Sequence, residues 1–204
     1  MDELRLDSYM RSIWSALSRA RIPITTVALA YCMAVGSGIF MVQSGNQFAL
    51  SYRDNLVSEA QTGVVLGQKN PLMQGLTDFG GNTLGAAVDT VLGFGVVLPY
   101  PMIVYRGWVG GIVSVDNDHI SRLADIKGSA YYLSVVFLQL LGYSLAAGVG
   151  VHAGLSVFRA RPENAGFTWF RVPKQALFDV LWIYALVVPI FLVASLWEFL
   201  SPWN

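Results

Sequence analysis

Four apolar stretches lie along the chain, and each is close to or above the length that a helix needs to cross a bilayer. They cover residues 24–42, 83–105, 130–158 and 176–200. A spanning helix takes about 20 mostly apolar residues to cross about 30 Å of hydrocarbon. The pattern therefore predicts an all-α, polytopic transmembrane helical bundle, a single membrane domain over residues 1–204 with about four spanning segments.

Two polar stretches accompany these segments. Residues 1–21 are rich in charge, but their apolar positions recur loosely at helical spacing. This pattern favours an amphipathic interfacial helix on the membrane surface over a soluble tail. Residues 44–82 are polar and rich in glycine, which predicts an extramembrane connector. Within it, residues 52–60 favour a short helix, and residues 72–79 favour a segment along the membrane that leads into the second span.

The basic side chains conflict with four simple crossings. The first basic cluster precedes the first span, so the positive-inside rule places the N-terminus in the cytoplasm. Three full crossings would then place the second cluster, which precedes the last span, on the opposite side. The clusters are Arg5, Arg11, Arg19 and Arg21, and Arg159, Arg161, Arg171 and Lys174.

Two different breaks would remove this conflict. The third segment is long for one upright crossing, so it is interpreted as two short crossings or a re-entrant pair, broken near Gly142 or Gly148. Alternatively, Pro99 and Pro101 divide the second segment, and residues 107–115 re-enter the membrane. Either break raises the number of membrane segments to five or adds a re-entrant element.

The composition agrees with a membrane location. Hydrophobic residues make up 54% of the chain, charged residues make up 13%, and the mean hydropathy is +0.52. A soluble domain has about a quarter of its residues charged. The formal net charge is zero, so the chain has no basic field to hold nucleic acid. The expected partners are membrane lipids and other integral membrane subunits, in a hetero- or homo-oligomer.

Small residues recur at four-residue spacing in three places. In lipid, such rows let helices approach closely, because the hydrophobic effect does not drive helix association there. They predict helix-packing surfaces within one subunit or between subunits. The rows are Gly81 with Gly85, Gly107 with Gly111, and Ala146 with Gly150 and Gly154.

Three polar residues in the apolar segments are candidates for buried positions, namely Asp89, Gln139 and Glu198. A carboxylate near the bilayer centre costs about 2.5–3.5 kcal/mol, so it normally faces the bundle interior or a cavity. For Asp89, one interpretation is a proton or cation site with Gln139 opposite. The other is a hydrogen-bonded carboxyl group that holds helices together. Glu198 lies near the end of the last span, where its side chain can reach the interface.

His119 and His152 are the only histidines. His119 lies in a polar connector, where a solvated loop is favoured over a metal site. His152 is a candidate ligand for a haem or chlorophyll-type macrocycle, although a packing or interfacial role is the simpler interpretation. The sequence lacks a catalytic triad, zinc-ligand spacing, a phosphate loop and a dinucleotide fingerprint. It therefore predicts neither enzymatic activity nor a resident cofactor.

The segment of residues 72–204 resembles the stage II sporulation protein M-like family of integral membrane proteins. In that family an Asn opens a small-residue span, a mid-span Gly follows, and a polar-Gly pair precedes another Gly. The last helix closes on a Glu and a Pro. The matching positions are Asn82, Gly93 or Gly95, Arg106 with Gly107, Gly110 or Gly111, and then Glu198 and Pro202.

The chain departs from the family pattern at two places. The family commonly has a His-Gly pair followed by a Glu, and residues 141–145 here contain neither His nor Glu. Arg106 also replaces the usual Asn of the polar-Gly pair. The resemblance implies a scaffold-like membrane protein, or a companion of a transport system, rather than an enzyme.

The leading hypothesis is a non-enzymatic, multi-pass subunit of the bacterial inner membrane. Such a subunit would pack within a larger membrane protein complex or scaffold it. The first alternative is a transporter or permease component with Asp89 in a polar path. The second is a haem- or chlorophyll-binding subunit that uses His152.

Overall fold

The computed structural model describes residues 2–61, 63–65, 67–159 and 172–203, and it confirms the all-α class. Within those ranges the only pairing of extended backbone is an isolated bridge between Val115 and Ser121. The six helices are α1 (Asp2–Gln43), α2 (Gln47–Gln61), α3 (Pro71–Gly93), α4 (Pro99–Ile112), α5 (Ile126–Arg159) and α6 (Lys174–Leu200).

Three of the helices are long and apolar enough to cross a membrane. The stretches that meet this criterion are Asp7–Gln43, Ile126–Phe158 and Lys174–Leu200. They contain the first, third and last predicted spans, so the chain fits a multi-pass membrane protein. The predicted second span, residues 83–105, is not one continuous helix and is shared between α3 and α4.

The first helix differs from the prediction, because residues 2–21 do not form a separate interfacial helix. They continue into the first span as one helix of 42 residues that passes through Pro23. The Thr26 hydroxyl donates to the Pro23 carbonyl at 2.9 Å, a local side-chain bond of the kind that accompanies proline in membrane helices. Ala16 and Ala20 are fully buried against the core, so this part of α1 packs on the bundle.

Proline and asparagine mark where α3 and α4 begin. The Asn70 side chain caps α3 by accepting a hydrogen bond from the Leu72 backbone at 2.8 Å, and Pro71 occupies the first turn, where proline is favoured. Pro99 begins α4 in the same way. The predicted division of the second segment at Pro99 is therefore confirmed. The alternative break in the third segment is wrong, because α5 runs without interruption through Gly142 and Gly148.

The predicted connector, residues 44–82, is also more regular than expected. Its first part holds α2, which begins after a turn at Gly45 and Asn46, where Asn46 Oδ1 accepts from the Ala49 backbone. Gly45 has a φ of 73°, which glycine adopts without the steric cost of a side chain. Its last part belongs to α3, so residues 72–79 lead into the bundle as the first turns of that helix.

The helix directions explain the position of the basic residues. Thr26 meets Tyr100 and Gly107 packs on Tyr31, so α4 runs parallel to α1. Asn82 contacts Tyr143 and Thr90 contacts Ala146, so α3 runs parallel to α5. Asp78 contacts Ser195 and Thr90 contacts Tyr184, so α3 runs antiparallel to α6. The chain therefore runs back along α3 and forward along α4 before it enters α5.

One end of the bundle consequently brings together the described residues of the two basic clusters. Arg19 of α1 contacts Asp179 near the start of α6, and His152 near the end of α5 contacts the same carboxylate. We call this the arginine end, and it carries Arg11, Arg19, Arg21 and Lys174. Arg161 and Arg171 lie outside the described residues. The two clusters meet because α3 and α4 run in opposite directions, whereas the sequence prediction counted residues 83–105 as one segment.

Candidate functional site

Polar residues lie along the inner face of α3 at helical spacing. Asp78, Asn82, Gly85 and Asp89 follow one another at intervals of three or four residues, so they share one side of the helix. Asp89 is fully buried and Asp78 is partly buried. Because α3 packs against α5 and α6, this side faces the interior of the bundle.

Asp89 forms a buried ion pair with Arg106 of α4. The Arg106 Nε lies 3.3 Å from Asp89 Oδ2, and the side chains are 26% and 0% exposed, respectively. The guanidinium also lies 4.4 Å from the centre of the Tyr143 ring, as in a cation–π contact. A Cβ on Gly85 would come within 2.7 Å of Arg106 Nη2, so the glycine makes room for this cation.

Hydrogen bonds extend the pair into a polar chain across the bundle. Arg106 Nη1 donates to the Tyr143 hydroxyl at 3.2 Å, and that hydroxyl donates to Asn82 Oδ1 at 2.7 Å. Asn82 Nδ2 and the Ser195 hydroxyl both donate to Asp78 Oδ2, each at 2.7 Å. The chain joins α3, α4, α5 and α6, so it ties together the helices that the small residues bring into contact.

Gln139 does not lie opposite Asp89, which corrects the sequence prediction. Its Nε2 donates to Glu198 Oε2 at 3.1 Å, and Glu198 therefore points into the bundle. The Tyr131 hydroxyl donates to the Glu198 carbonyl at 2.5 Å. These groups, with Arg122, line a cavity of about 300 Å³ near the start of α5.

His152 forms part of a second polar cluster at the arginine end. Its Nε2 lies 3.2 Å from Asp179 Oδ2, and Gln175 donates to Asp179 Oδ1 at 3.0 Å. Arg19 forms a two-pronged pair with the same carboxylate, which is fully buried. This arrangement differs from that expected of a macrocycle ligand, because the His152 ring is engaged in a polar contact between helices. Asp179 is the central residue of the cluster.

The predicted rows of small residues divide into two kinds. Gly107 and Gly111 lie against the backbone of α1, while Ala146, Gly150 and Gly154 form the surface of α5 that meets α3. In contrast, Gly81 is exposed, and apart from the adjacent backbone of α3 no atom of the described residues lies within 4 Å of where its Cβ would be. Of this row, only Gly85 meets another helix of the described chain, through Arg106 of α4.

A third polar cluster holds the loop before α5 against α2. Buried Arg53 donates to the Val115 carbonyl at 3.1 Å and to Asp54 Oδ1 at 3.0 Å. His119 Nε2 lies 3.0 Å from both Asp54 oxygens. His119 therefore has a carboxylate partner, although the sequence favoured a solvated loop residue. Within the described ranges, no group of three His, Cys, Asp or Glu residues is placed to hold a metal.

Lowering the pH below about 4 is expected to loosen this loop. The His119 contact, and then the Arg53 hydrogen bond, lower the pKa of Asp54 from its ordinary value, which is about 3.9 in an unfolded chain. The ionised Asp54 carboxylate therefore stabilises the loop fully above its unfolded pKa. This stabilisation is lost as the pH falls through the lower pKa that Asp54 has in the folded protein. The effect is small, since Asp54 is exposed to solvent.

Hydrogen exchange of the loop amides between pH 3 and pH 6, corrected for the intrinsic rate, measures this change. The Asp54→Asn variant should lack the acid transition, while Asp118→Asn should keep it. A transition of the same size in Asp54→Asn would contradict the assignment.

Three of the described helices are long and apolar enough to cross a bilayer, so the fold fits a multi-pass, α-helical membrane protein. Comparisons with protein-family models, with curated proteins and with solved structures found no match to this chain. Its function must therefore be inferred from its own packing and charges.

Proposed function

We propose that this chain is a non-enzymatic, multi-pass membrane subunit that associates laterally with other integral membrane proteins. The arginine end faces the cytoplasm of a bacterial inner membrane in this proposal, because both basic clusters of the sequence adjoin the helix ends that lie there. The helices α3 and α4 add two further passages, which lie against the three long apolar helices.

The observation that carries the proposal is a small-residue face on the outside of α1. Cys32 and Gly36 lie one turn apart, and both are exposed. Apart from the adjacent backbone of α1, no atom of the described residues lies within 4 Å of a Cβ built on Gly36. Met33 and Phe40 flank them and are 70% and 73% exposed. In lipid, small residues between larger apolar ones form the surfaces on which helices associate.

The contrast with the other face of α1 strengthens this point. Gly38 packs directly on the backbone of α4, where a Cβ would come within 2.9 Å of Gly111 Cα. Close packing within the chain thus explains why residue 38 is a glycine. Gly36 has no such explanation, although glycine costs a helix about 0.5–1 kcal/mol relative to alanine. A second helix that approaches this face would account for it.

The two alternative functions have less support. Asp89 is paired with Arg106 and does not face Gln139, so the polar path proposed for a transporter is occupied by an ion pair. His152 contacts Asp179, which leaves the proposal of a haem or chlorophyll ligand without a specific observation in its favour.

Replacing Gly36 with Leu is expected to abolish the association while leaving the fold intact, because the new side chain fills space that is open in the isolated chain. The mass of the complex extracted in mild detergent measures this. Cys32 is the only cysteine of the chain, so its oxidation to a disulfide in membranes reports contact between two copies at the same face.

Gly36→Ala is the graded control, since one methyl group should weaken the association less than a leucine does. If the partner is a different protein, the wild type should give a complex in detergent but no Cys32 disulfide between two copies. If the partner is a second copy of this chain, the wild type should give both the complex and the disulfide. A wild-type chain that is monomeric by mass and gives no cross-link, or a Gly36→Leu variant with unchanged complex mass, would overturn the proposal.

A further inference from the structure

A polar groove lies between α1 and α6 at the arginine end. Its volume is about 660 Å³. Hydrogen-bond donors from both helices line it, and they are Ser8, Ser12, Ser15, Arg11, Arg19 and Gln175. The α1 residues recur at three- or four-residue spacing, so one side of the helix faces the groove. We propose that this groove binds the phosphate of an anionic phospholipid headgroup.

The charge of the groove favours an anion. Arg19 uses Nε and Nη2 for Asp179, which leaves Nη1 outside that pair on a side chain that is 40% exposed. The Asp179 carboxylate is fully buried behind it. Arg11 uses Nε for the Asp7 carbonyl at 3.1 Å, so its two terminal nitrogens are not part of that bond. In the described part of the chain, no carboxylate lines the groove.

The remaining lining residues favour a lipid over a free phosphate ion. Phe178 and Trp182 complete the groove, and Phe178 is 54% exposed. Trp182 already packs against the Tyr9 ring. A free ion would leave the exposed Phe178 ring uncovered, whereas the glycerol backbone and acyl chains of a lipid would cover it. The groove also lies at the ends of two helices that are long enough to span the membrane, which is the level of the headgroups. Tryptophan is enriched at this level.

Arginine geometry gives the site a preference among headgroups. Guanidinium groups bind phosphate oxygens through paired N–H donors, and the Ser8 and Ser15 hydroxyls can supply further donors. In a headgroup without a positive charge, Arg11 would attract the phosphate without any opposing repulsion. A choline headgroup would bring its own cation next to that arginine. Phosphatidylglycerol should therefore bind in preference to phosphatidylcholine.

Native mass spectrometry of the full chain tests this proposal, with equimolar phosphatidylglycerol and phosphatidylcholine added in detergent. We expect phosphatidylglycerol adducts to persist at collision energies that remove phosphatidylcholine. The Arg11→Gln variant should bind phosphatidylglycerol about fivefold more weakly, since one basic residue contributes about that factor near a membrane surface. Arg11 is exposed and its only described hydrogen bond is to backbone, so the variant should fold.

The matched control is Arg21→Gln, which removes the same charge from an exposed α1 residue that does not line the groove. Its adducts should equal those of the wild type. Equal losses in both variants, or no preference between the lipids, would overturn the site in favour of general charge attraction. Displacement of phosphatidylglycerol by millimolar inorganic phosphate would show a free-anion site and would also overturn the proposal.

Discussion

Replacing Arg106 with Met is expected to lower the free energy of unfolding by about 3–5 kcal/mol, the usual cost of removing one partner of a buried ion pair. The variant leaves the Asp89 carboxylate fully buried without its cation. It also removes the guanidinium from the Tyr143 ring and from the Tyr143 hydroxyl. Denaturant titration in detergent, followed by circular dichroism, measures the loss.

A double variant separates the charge from the packing. Asp89→Leu with Arg106→Met replaces the pair by apolar side chains of similar size, an exchange that is often neutral or stabilising in buried sites. We therefore expect the double variant to recover most of the stability lost in Arg106→Met. If the double variant is as unstable as the single one, the pair does not stabilise the bundle through its charges.

Sequence reasoning identified one partner of this pair but assigned it the wrong neighbour. Asp89 is recognisable because a carboxylate in an apolar segment must find a partner or a cavity. Helical periodicity relates residues within one helix, and Arg106 lies on the next helix beyond the turn at residues 94–98. Arg106 was visible only as an unusual residue in a polar-Gly pair. Its approach to Asp89 depends on how α4 packs, which local pattern does not contain.

The same limit applies to the Asp179 cluster. Sequence reasoning did not single out Asp179, and it used Arg19 only as one of the basic residues that set the orientation of the chain. The structure joins them because the start of α6 lies beside α1. The positive-inside rule counts such arginines as cytoplasmic charge but does not say which one pairs with a buried acid.

Proline and glycine residues were both interpreted as helix breaks, and the two interpretations had different outcomes. Pro99 lacks a backbone donor, which the first turn of a helix does not need, and it does mark the start of α4, whereas Pro23 lies inside α1. Gly142 and Gly148 were interpreted as breaks, yet both lie inside the continuous helix α5. A Cβ on Gly142 would lie 2.7 Å from the Phe191 ring, and one on Gly148 would lie 2.5 Å from Ile24 Cα. These glycines allow close packing, and a single sequence does not distinguish that role from a break.

Gly150 provides the sharpest test of this packing. A Cβ at Gly150 would lie 2.8 Å from the Thr90 Cα of α3, and backbone cannot move aside as the end of a flexible side chain can. Gly150→Ala should therefore lower the free energy of unfolding by about 1–3 kcal/mol or more, the range for overpacked cores. Separation of α3 from α5 would also strain the Thr90 hydrogen bonds to the Ala146 carbonyl and the Tyr184 hydroxyl.

The same substitution at Gly80 or Gly81 should have the opposite sign. Both are exposed helix residues with open space beside them in the described part of the chain, and alanine is favoured over glycine in a helix by about 0.5–1 kcal/mol. Detergent unfolding of the monomer should thus show a gain for Gly80→Ala and a loss for Gly150→Ala. Equal losses would mean that glycine flexibility, rather than close helix contact, is what α3 and α5 require. Opposite signs would assign the Gly150 effect to the contact between the two helices, since both changes add the same methyl group to a helical glycine.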